Sequence, residues 1–234
     1  MNAYGCDISL YQNAISTPQV VDFVKMKAAG ASFVIIKASQ AAYADRDIVF
    51  NWSNARASGI LRAAYHFLTW TTDPIAQADF FCSTVRADPP ELGLFADYEW
   101  WGTTPENALA MLDAFCLRVE QKFGKCGVYT APGFWQPYGS LDPKWANRPL
   151  WQAQWGVVAP TTIKPWQNWT FWQYTSKGDG PKYGCESLSV DMDQFNGDEA
   201  ALLKYAGRDP QEPTTKEKVM DIGLQLIEIA GGMQ

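Results

Sequence analysis

The sequence contains a single histidine, His66, and no Cys-x-x-Cys pair, so a zinc centre built from the usual His and Cys ligands is excluded. Its acids are scattered and lack the dense loop spacing of oxygen ligands, which argues against a calcium site, and no cofactor is expected. Nothing approaches eighteen continuous apolar residues, so no membrane-spanning helix is expected. Basic residues are in the minority: 19 Lys and Arg against 25 Asp and Glu give a net charge of −6 and a pI near 4.8. They form no cluster able to neutralise a phosphate backbone, which removes nucleic acid as a partner. The opening Met1-Asn-Ala-Tyr-Gly-Cys6 has neither the basic region nor the apolar stretch of a secretory signal. Five cysteines, Cys6, Cys82, Cys116, Cys126 and Cys185, are odd in number and scattered, and read as reduced, mostly buried thiols. Internal repeats and low-complexity tracts are also missing.

What is abundant is apolar and aromatic surface. The 234 residues are 47% hydrophobic and 14% aromatic, enough for one large domain with an appendage. Eleven tryptophans suit contact with sugars, because a pyranose offers a flat apolar face to a ring, although most of the eleven belong to the core. Residues 3–9 read as a strand ending in Asp7, and Ser16-Thr-Pro18 opens a helix to about Ala29. Ser32-Phe-Val-Ile-Ile-Lys-Ala38 is the near-continuous β-branched run of a strand covered on both faces. A helix over 47–58 ends at Gly59, a strand covers 61–67, and Thr72-Asp73-Pro74 starts a helix to about Arg86. The Pro89-Pro90 break precedes the central strand, Leu92-Gly-Leu-Phe-Ala-Asp97-Tyr-Glu99. Thr104-Pro105-Glu106 opens the clearest helix, with Leu109, Leu112, Phe115, Cys116, Val119 and Phe123 on one stripe and Gly124 after it. Further strands are expected over 127–130, 149–155, 170–175 and 187–195, and a short helix over 198–205. Strands alternating with helices through five units predict a parallel sheet, and eight strands in roughly two hundred residues predict that it closes. The expected fold is α/β, an irregular (β/α)8-type, TIM-like barrel over residues 1–207 with helices missing near the C-terminal strands.

The chemistry-bearing stretch is the central strand. Side chains two apart on a strand point the same way, so Asp97 and Glu99 share one face with α-carbons about 6.6 Å apart. Two carboxyls at this spacing resist joint ionisation, and Tyr98, Trp100 and Trp101 beside them thin the water, so one acid can hold a proton at neutral pH. An Asp-x-Glu tripeptide occurs by chance about once in a chain this size, so its place at the polar end of an apolar strand is what informs. Asp7 and Asp191 also lie at or near strand C-terminal ends, where barrel chemistry sits, and four acids from three strands then converge on one mouth.

In order, Tyr4-Gly-Cys-Asp7-Ile-Ser-Leu-Tyr-Gln12, Phe33-Val-Ile-Ile-Lys-Ala38, Ala64-Tyr-His66-Phe, Phe95-Ala-Asp97-Tyr-Glu99, Leu150-Trp-Gln-Ala-Gln154-Trp, Phe171-Trp-Gln-Tyr174 and Val190-Asp191-Met-Asp-Gln-Phe195 resemble the strand motifs of family 25 glycoside hydrolases, the muramidases of phage endolysins and of bacterial or fungal lysozymes. The resemblance covers about residues 3–206. It implies a peptidoglycan hydrolase that cleaves the β-1,4 bond between N-acetylmuramic acid and N-acetylglucosamine. By position it makes Glu99 the proton donor and Asp97 the acid that assists the substrate's own N-acetyl oxygen, with Asp7 and Asp191 as flanking acids. Where the family usually carries Glu-Gly after Lys37-Ala38-Ser39, this chain has Gln40-Ala41, which removes a charge near the mouth. Cys6 also replaces a more usual aliphatic residue.

Alternatives stay open at several positions. Asp7 could instead cap the turn into Ser9. Asp191 and Asp193 share a strand face, and only the Val-Asp-x-x-x-Phe frame favours Asp191, leaving Asp193 to bond backbone. His66 could be a buried, satisfied core histidine. Tyr65, Tyr129, Trp155 and Tyr174 are the candidate substrate-binding rings, each able to serve as core or rim instead. A chitinase-like glycosidase and a non-catalytic cell-wall glycan-binding barrel are the rival functions. Residues 208–234 read as a Pro-containing linker and an amphipathic helix with Val219, Ile222, Leu226, Ile227 and Ala230 at helical spacing. Such a helix needs a partner: the barrel, another chain in self-association, or a wall-binding module that it leads into. With no signal peptide, the expectation is a protein made in the cytoplasm of a phage-infected host that acts on the cell wall after release.

Overall fold

The computed structural model describes residues 1–13 and 21–210. In chain order the elements are β1 (Tyr4–Ile8), α1 (Phe23–Ala28), β2 (Phe33–Gln40), β3 (Tyr43–Ala44), α2 (Ile48–Ser58), β4 (Leu61–Phe67), α3 (Pro74–Val85), β5 (Leu94–Asp97), α4 (Pro105–Phe123), β6 (Gly127–Thr130), α5 (Pro132–Tyr138), β7 (Leu150–Ala153), β8 (Phe171–Asp179), β9 (Ser189–Phe195) and α6 (Glu199–Tyr205). The helix boundaries follow local chemistry. Asp73 and Thr104 accept hydrogen bonds from Ala76 N and Asn107 N, each ahead of a proline in the first turn, and Gly59 and Gly124 close α2 and α4 in the left-handed conformation. The helix expected to open at Ser16 begins, among the described residues, at Phe23 behind an Asp22 cap; residues 14–20 lie outside them. The expected tail helix over 214–230 also lies outside the described residues. Helix α5, which opens on Pro132 and contains Pro137, was not among the expected elements.

Eight strands close a ring in the order β1, β2, β4, β5, β6, β7, β8, β9, and β3 hangs from β2 as a hairpin. The fold is thus an irregular α/β barrel, but the expectation of a wholly parallel sheet is corrected. Strand β9 runs antiparallel to both β8 and β1. The cause is the connection: residues 180–188 join β8 to β9 in a short turn, whereas a parallel pair needs a crossover of about a dozen residues or more.

Two apolar layers hold the ring. Inside it pack Phe33, Ile35, Phe95, Trp151, Phe171 and Phe195, all buried. Glycine makes room for them: a side chain on Gly5 or Gly127 would occupy the space filled by the rings of Phe33 and Phe95. Between ring and helices lie Val34, Ile36, Ala96, Leu112, Phe115 and Val119 with many others. Alternate residues of one strand therefore serve different layers, which explains the continuous β-branched run of β2. The inner layer stops short of the C-terminal rim, and there the inward positions turn polar.

Candidate active site

Strand β5 ends at Asp97, two residues earlier than the expected central strand, yet the chain stays extended beyond it: Tyr98 N donates to Tyr129 O at 2.9 Å. Alternation persists through this extension. Asp97 points inward and is 5% exposed; Tyr98 points outward into the core, its hydroxyl donating to Tyr138 O at 2.6 Å; and Glu99 returns to the mouth, where it reaches solvent. Of the three rings expected to thin the water, only Trp100 and Trp101 lie at the surface.

Asp7, on the inward face of β1, is paired across the sheet with Asp191 of β9. Asp191 lies near the start of its strand, not at a C-terminal end, and reaches the mouth because β9 is reversed. Asp7 does not cap the following turn; Ser9 performs that service itself, accepting from Tyr11 N. Asp193 is fully buried one step deeper and accepts from the Trp151 indole at 2.7 Å, a side-chain partner in place of the expected backbone one. Its Oδ2 has no hydrogen-bond partner among the described residues, and Asp7 is the neighbour able to supply one by holding a shared proton.

Gln173 is the residue that sequence reasoning missed. Its amide, 2% exposed, donates to Asp7 Oδ2 at 2.7 Å and to Asp191 Oδ2 at 3.4 Å, while its Oε1 accepts from Tyr129 OH and Trp155 Nε1, each at 3.1 Å. One side chain thereby ties together four of the expected site residues. Its only signal is parity with inward Phe171 in the alternating run of β8. Lys37 was also missed. Its ammonium donates to Gln40 Oε1 at 2.8 Å and sits 5.0 Å from the Phe67 ring centroid, and its field acts on Asp97, Asp45 and Glu99.

The electrostatics follow from burial with too few cations. Asp97 is pushed well above the usual carboxylate range by burial and by Glu99, with Lys37 opposing. Glu99 is raised by the protein around it and then by Asp191, again against Lys37; repulsion within the pair falls on Asp97, the more enclosed member. Burial lifts Asp191 to about 6 and Asp193 to about 8, and Asp7 is raised by burial and by both of those aspartates, with Gln173 opposing. The acids of the mouth therefore hold protons more tightly than free carboxylates do.

The candidate rings divide. Tyr65 is buried beside the acids, edge-on to Trp151 at 5.6 Å, and Tyr129 and Trp155 line a cavity with Glu99. Tyr174 is corrected: next to inward Gln173, it faces the outer layer, packed edge-on to Tyr4 at 6.3 Å and away from the mouth. His66 is a core histidine, fully buried, 2.8 Å from Ser39 Oγ and 3.1 Å from Gln77 Oε1, and lowered to about 4 by burial. Among the described residues no group of three or more His, Cys, Asp or Glu is arranged to hold a metal.

A closed barrel whose mouth sets a sealed carboxyl beside a solvent-reaching one, with aromatic rings around them, defines a glycoside hydrolase. Comparison with known proteins agrees: the model of glycosyl hydrolases family 25 matches residues 6–182, and the chain belongs to that family. Lysozyme M1 of Streptomyces globisporus is 33% identical over 216 residues, covering 86% of this chain and 70% of that protein. The bacterial lysozyme of Streptomyces coelicolor superposes with a TM-score of 0.75 at 29% identity, over 88% of this chain and 97% of that one. The endolysin catalytic domain from a bacteriophage of Listeria monocytogenes does so with a TM-score of 0.68 at 25% identity, over 88% and 98% of the two chains.

Proposed function

We propose that this chain is a lysozyme of the N-acetylmuramidase type, cleaving the β-1,4 bond between N-acetylmuramic acid and N-acetylglucosamine in bacterial peptidoglycan. The observation that carries the reading is the contrast within the acid pair. Asp97 is sealed and its Oδ1 is buried without a hydrogen-bond partner among the described residues, whereas Glu99 meets solvent where a leaving oxygen would lie.

In the empty site the shared proton sits first on Asp97, the more deeply buried acid. A bound sugar changes that balance. Its acetamido N–H supplies the donor that Asp97 Oδ1 lacks, which favours the charged form, and its bulk shields Glu99 from water, which favours the protonated form. The proton then belongs to Glu99, which gives it to the glycosidic oxygen as that bond breaks. The acetamido carbonyl oxygen closes on the anomeric carbon, and the charge of Asp97 offsets the positive charge that develops. Water, deprotonated by the Glu99 carboxylate, opens the ring so formed and leaves the product with retained configuration. Gln173 holds Asp7 and Asp191 at the flank.

Clearing of a cell-wall suspension by the wild type and by Glu99→Gln tests the reading, with mass analysis of the products. The variant should clear about 10²–10⁴ times more slowly, the span expected for loss of a general acid. New reducing ends should appear on muramic acid. Equal clearing by both proteins, or reducing ends on glucosamine, would remove the proposal.

A further inference from the structure

Aromatic surface at the mouth continues past the residues that the mechanism uses. Trp100 directly follows Glu99 and is 38% exposed. Its ring lies parallel to that of Trp70, with centroids 6.2 Å apart and planes 12° from parallel, and Trp70 Nε1 donates to the Trp100 carbonyl at 2.7 Å. Ring and backbone of the two tryptophans are thus fixed together before anything binds. Phe67 lies 6.4 Å from Trp100, pairs with Asp97 across β4 and β5, and has the Lys37 ammonium over its ring. The apolar surface therefore begins beside the acids and ends in solvent at Trp100.

The order of strands round the barrel gives this surface a direction. Phe67 and Trp70 lie at and after the end of β4, Glu99 and Trp100 after β5, Tyr129 on β6, and Trp155 after β7. On the β6 and β7 side, a cavity of about 380 Å³ lined by Glu99, Tyr129, Pro132 and Trp155 opens beside the acid. Glu99 accordingly has Trp155 on one side and the Trp70–Trp100 pair on the other. A flat, prefixed ring exposed next to polar groups fits a ligand with a flat apolar face and a hydroxyl rim, which is the shape of a pyranose. Trp101 does not share this property. It is 55% exposed but meets Phe134 and Tyr138 edge-on, each at 4.9 Å, as part of the packing of α5.

We propose that Trp100, braced by Trp70, is the stacking platform for a further sugar of the same glycan strand, on the side of Glu99 opposite to Trp155. The assignment rests on the glycan-cleaving function proposed above. A glycan crossing the mouth then spans both platforms, with the bond to be cut between them. Long strands gain affinity from this second contact, and short ones do not reach it fully.

The test uses the full chain and two substrates, a tetrasaccharide and an octasaccharide of alternating β-1,4 N-acetylglucosamine and N-acetylmuramic acid. With the octasaccharide, Trp100→Ala should raise KM about tenfold while kcat falls less than about threefold, a change of about 1.4 kcal/mol in binding. The increase should be smaller with the tetrasaccharide, Trp100→Phe should recover most of the loss, and Trp101→Ala should match the wild type. Thermal melts confirm that each variant folds. Unchanged KM for Trp100→Ala on the octasaccharide, or equal losses in Trp100→Ala and Trp101→Ala, would overturn the assignment. Calorimetric titration of the octasaccharide in the Glu99→Gln background separates the two readings. A tenfold weaker fit on adding Trp100→Ala supports the platform even if Glu99→Gln still cleaves, an outcome that would sink only the catalytic assignment. No octasaccharide binding in that background would overturn the platform.

Discussion

Replacing Asp193 by asparagine probes the acid cluster at its most enclosed member. The carboxyl is fully buried, accepts one hydrogen bond from Trp151, and is lifted from 3.8 to about 8 by burial. A group whose folded value is raised takes up a proton on folding. Its contribution to stability is complete below about pH 4, the unfolded value, and is lost as pH rises through about 8, the folded one. At about pH 7 the unfolded chain gains roughly three units of favourable ionisation that the folded chain forgoes, or about 4 kcal/mol at 1.36 kcal/mol per unit. Asp7 shares the proton, so Asp193 accounts for only part of that, on the order of 2 kcal/mol. Asparagine keeps the shape: its carbonyl oxygen accepts from Trp151, and its amide nitrogen offers a donor toward Asp7. Asp193→Asn should therefore be more stable than wild type by about 2 kcal/mol at about pH 7, raising Tm by about 4–8 °C, with the gain shrinking toward zero near pH 4. Urea unfolding followed by tryptophan fluorescence at the two pH values measures it. An equal gain at both, or a variant less stable than wild type near neutrality, would show that Asp193 is ionised in the fold and would refute the account.

Two further substitutions test the β2–β3 corner. Ala41 adopts φ 49° in the turn that joins these strands, a conformation that favours glycine, so Ala41→Gly should add about 0.5–1 kcal/mol in a thermal melt, and a lower Tm would contradict it. Lys37 holds down the carboxyls of both Asp97 and Glu99, so Lys37→Met should move the acidic limb of the rate–pH profile upward, and a profile that stays in place would show that its field is not felt there.

The parts of this molecule that were legible in the sequence are those governed by neighbours along the chain. Caps at Asp73 and Thr104, terminating glycines at Gly59 and Gly124, and the β-branched run of β2 carry their physics locally, and eight strands followed. Asp97 and Glu99 were found because their relation is also local, two residues on one extended segment. Asp191 was placed at the mouth for the wrong reason, since the reversal of β9 is a property of the 180–188 connection and not of its own pattern. The alternation of β8 was visible, but not which half faced inward. Parity decides between Gln173 and Tyr174, and a step of one residue exchanges core and cleft. The roles of Gln173 and Lys37 depend on partners distant in sequence, which no local pattern encodes.

The protons held at the mouth also bear on how a negatively charged protein can bind its polymer. Asp7, Asp45, Asp97, Glu99 and Asp191 lie toward the barrel opening, with Asp193 buried beneath them and Lys37 as the cation acting on Asp97 and Glu99, and all six carboxyls are raised. Fully ionised, such a mouth would repel the carboxylates of muramic acid and its peptide stems. Burial counters this by raising every one of these acids, so the desolvation that arms Glu99 in the proposed mechanism also lowers the charge that the substrate meets. Both effects weaken together as pH rises, because the proposed donor, Glu99, ionises and the mouth turns more anionic. Above neutrality KM should therefore climb while kcat falls. Salt separates the two: raising ionic strength to about 0.5 M shortens the Debye length to roughly 4 Å and should bring KM back toward its neutral-pH value without restoring kcat. Steady-state kinetics on soluble peptidoglycan fragments at about pH 6 and pH 8.5, with and without salt, reads both constants. If salt leaves the KM at high pH untouched, repulsion is not what weakens binding, and the charge argument fails even if the acid assignment stands.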